Sequence, residues 1–222
     1  MARLLSLLAA LAFAVALVIE NTPHGLPLDK VLSLGHEKDV IVCTAVPIGH
    51  DTALTAAHCL NGPKALWLNR KYQAVPIKVD TDHDIALLKL TGVDTFRTWA
   101  KIAEPEFMDK LLVIGFPLAD RLGHFVVETG TYMGPSNAEV QARLQWSLTT
   151  VPVYPGNSGG PMFKWDGGEW RLVGICNAIS TIPFGWSAQL APKLSWIQTH
   201  LKEFLTDTWS TQPKEAKTGS TD

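Results

Sequence analysis

Charge is scarce and almost balanced in this chain. Asp, Glu, Lys and Arg make up 18% of its 222 residues and leave a formal charge of -2. No dense Lys/Arg patch with interleaved aromatics occurs, which argues against nucleic acid as a partner. Cysteine is scarce too, with three residues and no C-x-x-C pair, and there is no H-E-x-x-H. No metal site of those types is expected. No Gly-rich phosphate loop follows a strand pattern, so no cofactor is implied. Internal repeats are absent as well.

Apolar residues are plentiful: 46% of the chain is hydrophobic, with eight tryptophans and eight phenylalanines. That suits one globular unit, or two small subdomains sharing a core. The first twenty residues stand apart. Arg3 precedes Leu4–Ile19, in which Ser6 is the only polar side chain, and Glu20 ends the run. A basic start and an apolar core read as a signal peptide, with Ala14-Val15-Ala16 at the spacing a signal peptidase accepts. An uncleaved membrane anchor through residues 4–19 and a buried N-terminal helix are the other two readings. Residues 21–30 hold Pro23, Gly25 and Pro27 and read as a linker.

Short apolar runs between turn residues then predict strands at 40–46, 52–55, 65–68, 74–79 and 85–90. More follow at 111–116, 125–132, 142–150, 160–164, 170–175 and 187–190. Their number and spacing predict an all-β barrel or sandwich, with a crossover near 96–108. Leu194, Ile197, Leu201 and Leu205 recur at helical spacing after Pro192, which predicts a C-terminal helix over about 193–205. Residues 206–222 read as a polar tail.

Three stretches carry chemistry. "VYPGNSGGPMF" (153–163) sets Ser158 among glycines and prolines. "LTAAHCL" (54–60) sets His58 after a short strand, and "DHDIALLKL" (82–90) sets Asp84 at the mouth of another. Each alone reads as turn or cap chemistry. A hydroxyl nucleophile, however, needs a base, and a histidine base needs a carboxylate to fix its tautomer. Asp80 and Asp82 are rival acids, but Asp84 has the apolar run directly behind it. G-x-S-x-G at 156–160 also fits an α/β-hydrolase, yet the order His, Asp, Ser excludes that fold.

These motifs, in this order and with 26 and then 74 residues between them, resemble the chymotrypsin-like serine peptidases, most closely the compact HtrA-like branch. "LVGICNAI" (172–179) is similar to the strand lining that family's substrate cleft. The resemblance spans roughly residues 36–200. It implies two packed antiparallel six-stranded β-barrels, about 31–100 and 109–192, closed by the C-terminal helix. The whole protease domain would span 31–205.

The resemblance also implies a serine endopeptidase that hydrolyses peptide bonds through His58, Asp84 and Ser158. Its oxyanion hole would be the N–H groups of Gly156 and Ser158, since fixed donors stabilise the charge formed on a carbonyl oxygen. Family positions place the substrate pocket at Pro152, Val153, Tyr154, Asn177, Ala178 and Ile179, uncharged and suited to small or medium apolar residues. The family also often bridges the positions of Cys43 and Cys59, which leaves Cys176 odd, as a buried free thiol or a partner in an intermolecular bridge. An Ile-Val-Gly-Gly activation sequence is absent, and Asn157 stands where digestive members carry aspartate. The expected partner is a peptide or protein, and the expected location is secreted or periplasmic, or membrane-anchored. A different class of reading remains beside this one: a catalytically silent peptide-binding or assembly protein on a protease fold.

Overall fold

Short segments whose side chains alternate between two faces set the architecture. The computed structural model describes residues 25–62, 66–92, 95–117, 124–135, 146–179 and 187–190. After a 3-10 turn at Leu28–Lys30 come β1 (Leu32–Gly35), β2 (Cys43–Pro47) and β3 (Thr52–Thr55). A second 3-10 turn, Ala57–Leu60, leads to β4 (Leu66–Leu68), β5 (Tyr72–Asp80) and β6 (Ile85–Leu90). These strands pair antiparallel in the order β1-β2-β3-β6-β5-β4, and the pairing of β1 with β4 closes the barrel.

The second half contains β7 (Lys110–Gly115), β8 (Val126–Pro135), β9 (Trp146–Thr149), β10 (Pro161–Asp166), β11 (Glu169–Ile179) and β12 (Ser187–Leu190). Their order is β10-β11-β12-β9-β8-β7, with β10 pairing β7. Four long strands, β7, β8, β10 and β11, carry this half, and the four-residue strands β9 and β12 complete its circuit.

The period of two decides what packs where. In β6, Leu88 and Leu90 face the first barrel's interior with Leu34, Ala45, Ala53 and Leu68. Ile85 and Leu87 face the other way, into a layer with Leu112, Ile114, Phe163, Leu172 and Ile175 from the second half. Leu111, Val113, Met162, Val173 and Cys176 fill the second interior. Both faces of β1, β2 and β3 are covered, so these strands are buried along their whole length, Ser33, Thr44, Thr52 and Thr55 included. Each fully buried aliphatic side chain contributes about 1.5–3 kcal/mol, so the shared layer fixes one half against the other. The connecting segment adds backbone bonds, Ala100 N–H to Pro47 at 2.8 Å and Leu172 N–H to Lys101 at 2.8 Å.

The expected architecture, two barrels closed by a C-terminal helix, is corrected in its helix: both six-stranded barrels are closed, but no helix closes them among the described residues. The described residues contain no α-helix, and their only helical elements are the two 3-10 turns of three and four residues. The helix expected over 193–205 lies outside the described residues, as do the N-terminal segment 1–20 and the tail 206–222. Among the described residues no helix is long and apolar enough to cross a membrane.

Candidate functional site

His58 owes its position to the 3-10 turn that follows β3. Ala56 enters extended, the turn spans Ala57–Leu60, and Cys59 inside it bonds covalently to Cys43 of β2. The small residues Ala56 and Ala57 are buried, while the His58 side chain is 42% exposed. Asp84 precedes β6 with φ 55°. Left-handed backbone is uncommon for residues other than glycine, but aspartate adopts it more readily than most. In that conformation one carboxylate oxygen accepts the His58 backbone N–H at 2.8 Å and the other meets His58 Nδ1 at 2.7 Å. The pair thus joins the turn after β3 to the start of β6.

Asp80 is occupied elsewhere. Its carboxylate takes the His83 backbone N–H at 2.9 Å and His83 Nδ1 at 2.8 Å. Two histidine–carboxylate couples of the same form therefore lie side by side, and only the Asp84 couple includes His58.

Ser158 sits in the turn between Val151 and β10. Gly156 at φ 96° and Gly159 at φ 77° give that turn its shape. Thr44 of β2 anchors it from the first barrel. The Thr44 backbone N–H donates to the Ser158 carbonyl at 2.8 Å, and its hydroxyl donates to the Gly156 carbonyl at 2.9 Å. The same hydroxyl accepts the Phe116 N–H at 2.9 Å. Gly159 N–H reaches the Cys176 carbonyl at 2.6 Å. Within the described residues the N–H groups of Gly156 and Ser158 donate to no acceptor. Asn157 is fully buried, and neither its amide oxygen nor its amide nitrogen finds a partner among the described residues.

The expected pocket residues divide. Pro152 and Val153 are half-buried and Tyr154 is exposed, all on the run leading to Ser158. Burial holds the carboxyl of Glu128, on β8, above the usual carboxylate range, while a hydrogen bond with Tyr154 pulls it the other way. The Glu128 charge in turn raises the Tyr154 phenol. Asn177 lies behind Asp84 rather than on an open wall. It donates to the Asp84 carbonyl at 2.8 Å and to its carboxylate at 3.2 Å. The cause is a bulge: Cys176 pairs Gln189 and Ala178 pairs Ala188, leaving Asn177 as the extra residue. Such a bulge re-aims a side chain. Ala178 and Ile179 continue β11 by backbone pairing to β12. Thr44 and Glu128 escaped sequence reasoning, since a threonine in an apolar strand and a glutamate in an alternating one carry no motif.

The bridge between Cys43 and Cys59 abuts this site. Its two sulfurs and a ring nitrogen of His58 lie within 4.8 Å of one another. The Cys59 sulfur is 3.6 Å from the Ser158 carbonyl oxygen. Cys176 is free and buried.

Comparison with known proteins places this geometry. The model of a trypsin-like peptidase domain matches residues 43–175. Vitamin K-dependent protein C of Oryctolagus cuniculus is 28% identical over 233 aligned positions, covering 75% of this chain and 48% of that protein. The chain thus spans about half the length of that curated relative. Among solved structures, the Rv3671c protease of M. tuberculosis in an inactive form has TM-score 0.60 at 16% identity, covering 78% of this chain and 88% of the other. The HtrA-type protease AlgW with a decapeptide has TM-score 0.60 at 20% identity, covering 72% and 51%. At such identities the likeness is one of fold. The fold is the trypsin-like serine-protease fold, close to its HtrA/Deg branch.

The expectation of a working serine endopeptidase, and with it the designations hydrolase and serine protease, is corrected by the same geometry. A base activates a serine from within hydrogen-bond reach of its hydroxyl, about 2.6–3.2 Å. Among the described residues His58 bonds to Asp84 and no hydrogen bond joins it to Ser158. A closed disulfide, its two sulfurs and a ring nitrogen of His58 within 4.8 Å of one another, lies beside the imidazole.

Proposed function

Since the chain belongs to the trypsin-like peptidase domain family, we infer that it is a catalytically silent member, a peptide-binding or assembly protein built on a protease fold. The carrying observation is the engagement of His58. Asp84 holds it through both backbone and ring, with no hydrogen bond to Ser158. Without a base on its hydroxyl, Ser158 is an ordinary alcohol.

Peptide binding needs less than cleavage does. The N–H groups of Gly156 and Ser158 offer donors to a peptide carbonyl, and β11 near Asn177–Ile179 offers backbone for strand addition. Pro152, Val153 and Tyr154 supply an uncharged wall. AlgW, a protein of the same fold, was solved with a decapeptide. A location outside the cytoplasm is part of the reading, because a structural disulfide persists in an oxidising compartment.

A peptide library offered to the intact chain tests this. Bound peptides should be recovered at their full mass, and Ser158→Ala should retain the same peptides with affinity changed by less than about tenfold, that is about 1.4 kcal/mol. Cleaved peptides that disappear in Ser158→Ala would overturn the reading.

A further inference from the structure

The bridge beside His58 masks a second set of ligand atoms. Both cysteines are buried, Cys43 of β2 at 5% and Cys59 of the turn after β3 at 3% exposure. As a disulfide, the two sulfurs carry no charge for a cation. As thiolates they are strong ligands. Two thiolates and one imidazole form a Cys₂His set, which with an open fourth position is a donor set suited to zinc.

The distances allow it. Zinc takes sulfur at about 2.3 Å and nitrogen at about 2.0–2.1 Å, which sets tetrahedral ligand atoms roughly 3.5–3.8 Å apart. The donor atoms already lie within 4.8 Å of one another. The Cα atoms of the two cysteines are 6.1 Å apart, so side-chain rotation alone can part the sulfurs. Asp84 meets Nδ1 of His58 at 2.7 Å, which leaves Nε2 as the ring nitrogen without a partner among the described residues. A carboxylate on the far nitrogen orients a histidine ligand and raises its basicity.

We propose that reduction of the Cys43–Cys59 bridge opens a site for a thiophilic divalent cation such as Zn²⁺, held by Cys43, Cys59 and His58 with water in the fourth position. The chemistry balances with a phosphine reductant. The phosphine and one water convert the S–S bond to two S–H groups, and the phosphine leaves as its oxide. The cation then displaces both thiol protons, and His58 enters neutral. The ion ties up the imidazole, so the redox state of the bridge decides whether His58 faces a peptide or a metal. The proposal does not depend on the silent reading of Ser158.

Cobalt(II) titration of the intact chain tests it, read by the d–d and thiolate charge-transfer bands of a tetrahedral site. The background is Cys176→Ser, which leaves the bridge cysteines as the only thiols. The phosphine-reduced, folded chain should show the bands, and the oxidised chain should not. Cys43→Ser should abolish them. His58→Ala should weaken cobalt binding by about tenfold or more, and Asp84→Asn by about 10–100-fold. Zn²⁺ should bleach the bands. A reduced chain without bands overturns the proposal. So do bands whose affinity is indifferent to His58→Ala, and so does loss of the β-sheet circular dichroism on reduction.

Discussion

Replacing Cys43 and Cys59 together with alanine removes a covalent loop with a sequence separation of 16. Chain-entropy reasoning assigns a loop of that size about 3 kcal/mol, because the bridge restricts the unfolded ensemble more than it adds native contacts. Sulfur burial adds a smaller loss, since both residues sit in the first-barrel core. Domains of this fold class have only about 5–15 kcal/mol in hand, so the variant should still fold but lie much nearer its threshold. Urea unfolding followed by tryptophan fluorescence measures the difference. The expected outcome is a loss of about 3 kcal/mol with an m value equal to or above the parent's, because the unbridged unfolded chain exposes more surface. In thermal scans this corresponds to about 6–12 °C in Tm for a chain of this size. A loss below about 1 kcal/mol would refute the entropic reasoning and show that the unbridged unfolded chain already keeps this loop compact.

Three further perturbations probe the site's frame. Gly159→Ala places a methyl group against Thr55, Thr44 and the Ala56 nitrogen at a backbone φ of 77°; it should cost about 3 kcal/mol or more, and near-parent stability in urea would contradict this packing of the turn. Thr44→Val removes the hydroxyl that joins the Gly156 carbonyl to the Phe116 N–H and should cost about 1–3 kcal/mol, with peptide affinity falling as the turn loosens. Glu128→Gln tests the buried carboxyl. Its folded pKa is raised, so the folded state holds the proton more tightly than the unfolded state. The stability this adds is present below the usual carboxylate value and is lost as pH rises through the folded value. The variant should therefore gain on the parent as pH rises from acid to neutral, and a gap constant with pH would refute that.

Much of this molecule is legible in its sequence because its rules are local. Alternation in 85–90 predicts a strand with two faces, and both faces bury because Ile85 and Leu87 meet the second half while Leu88 and Leu90 meet the first. β1 at Leu32–Gly35 escaped because four residues that end in a glycine, close behind the Pro/Gly-rich linker, read as its continuation. Asn177 reads as a pocket residue when β11 is taken as a regular strand, but the bulge turns it behind Asp84. That irregularity is set by pairing with β12, a partner remote in sequence. The order of His58, Asp84 and Ser158 carries family membership. It does not carry the hydrogen bond between base and nucleophile, which depends on how two turns from different halves meet.

The most direct measurement is labelling of the folded chain by a fluorophosphonate probe, with the modified peptide identified by mass spectrometry and His58→Ala and Ser158→Ala as controls. A silent site predicts no adduct on Ser158. An adduct on Ser158 that disappears in His58→Ala would show that base and nucleophile are coupled, and would contradict the assignment of this chain as a binding protein.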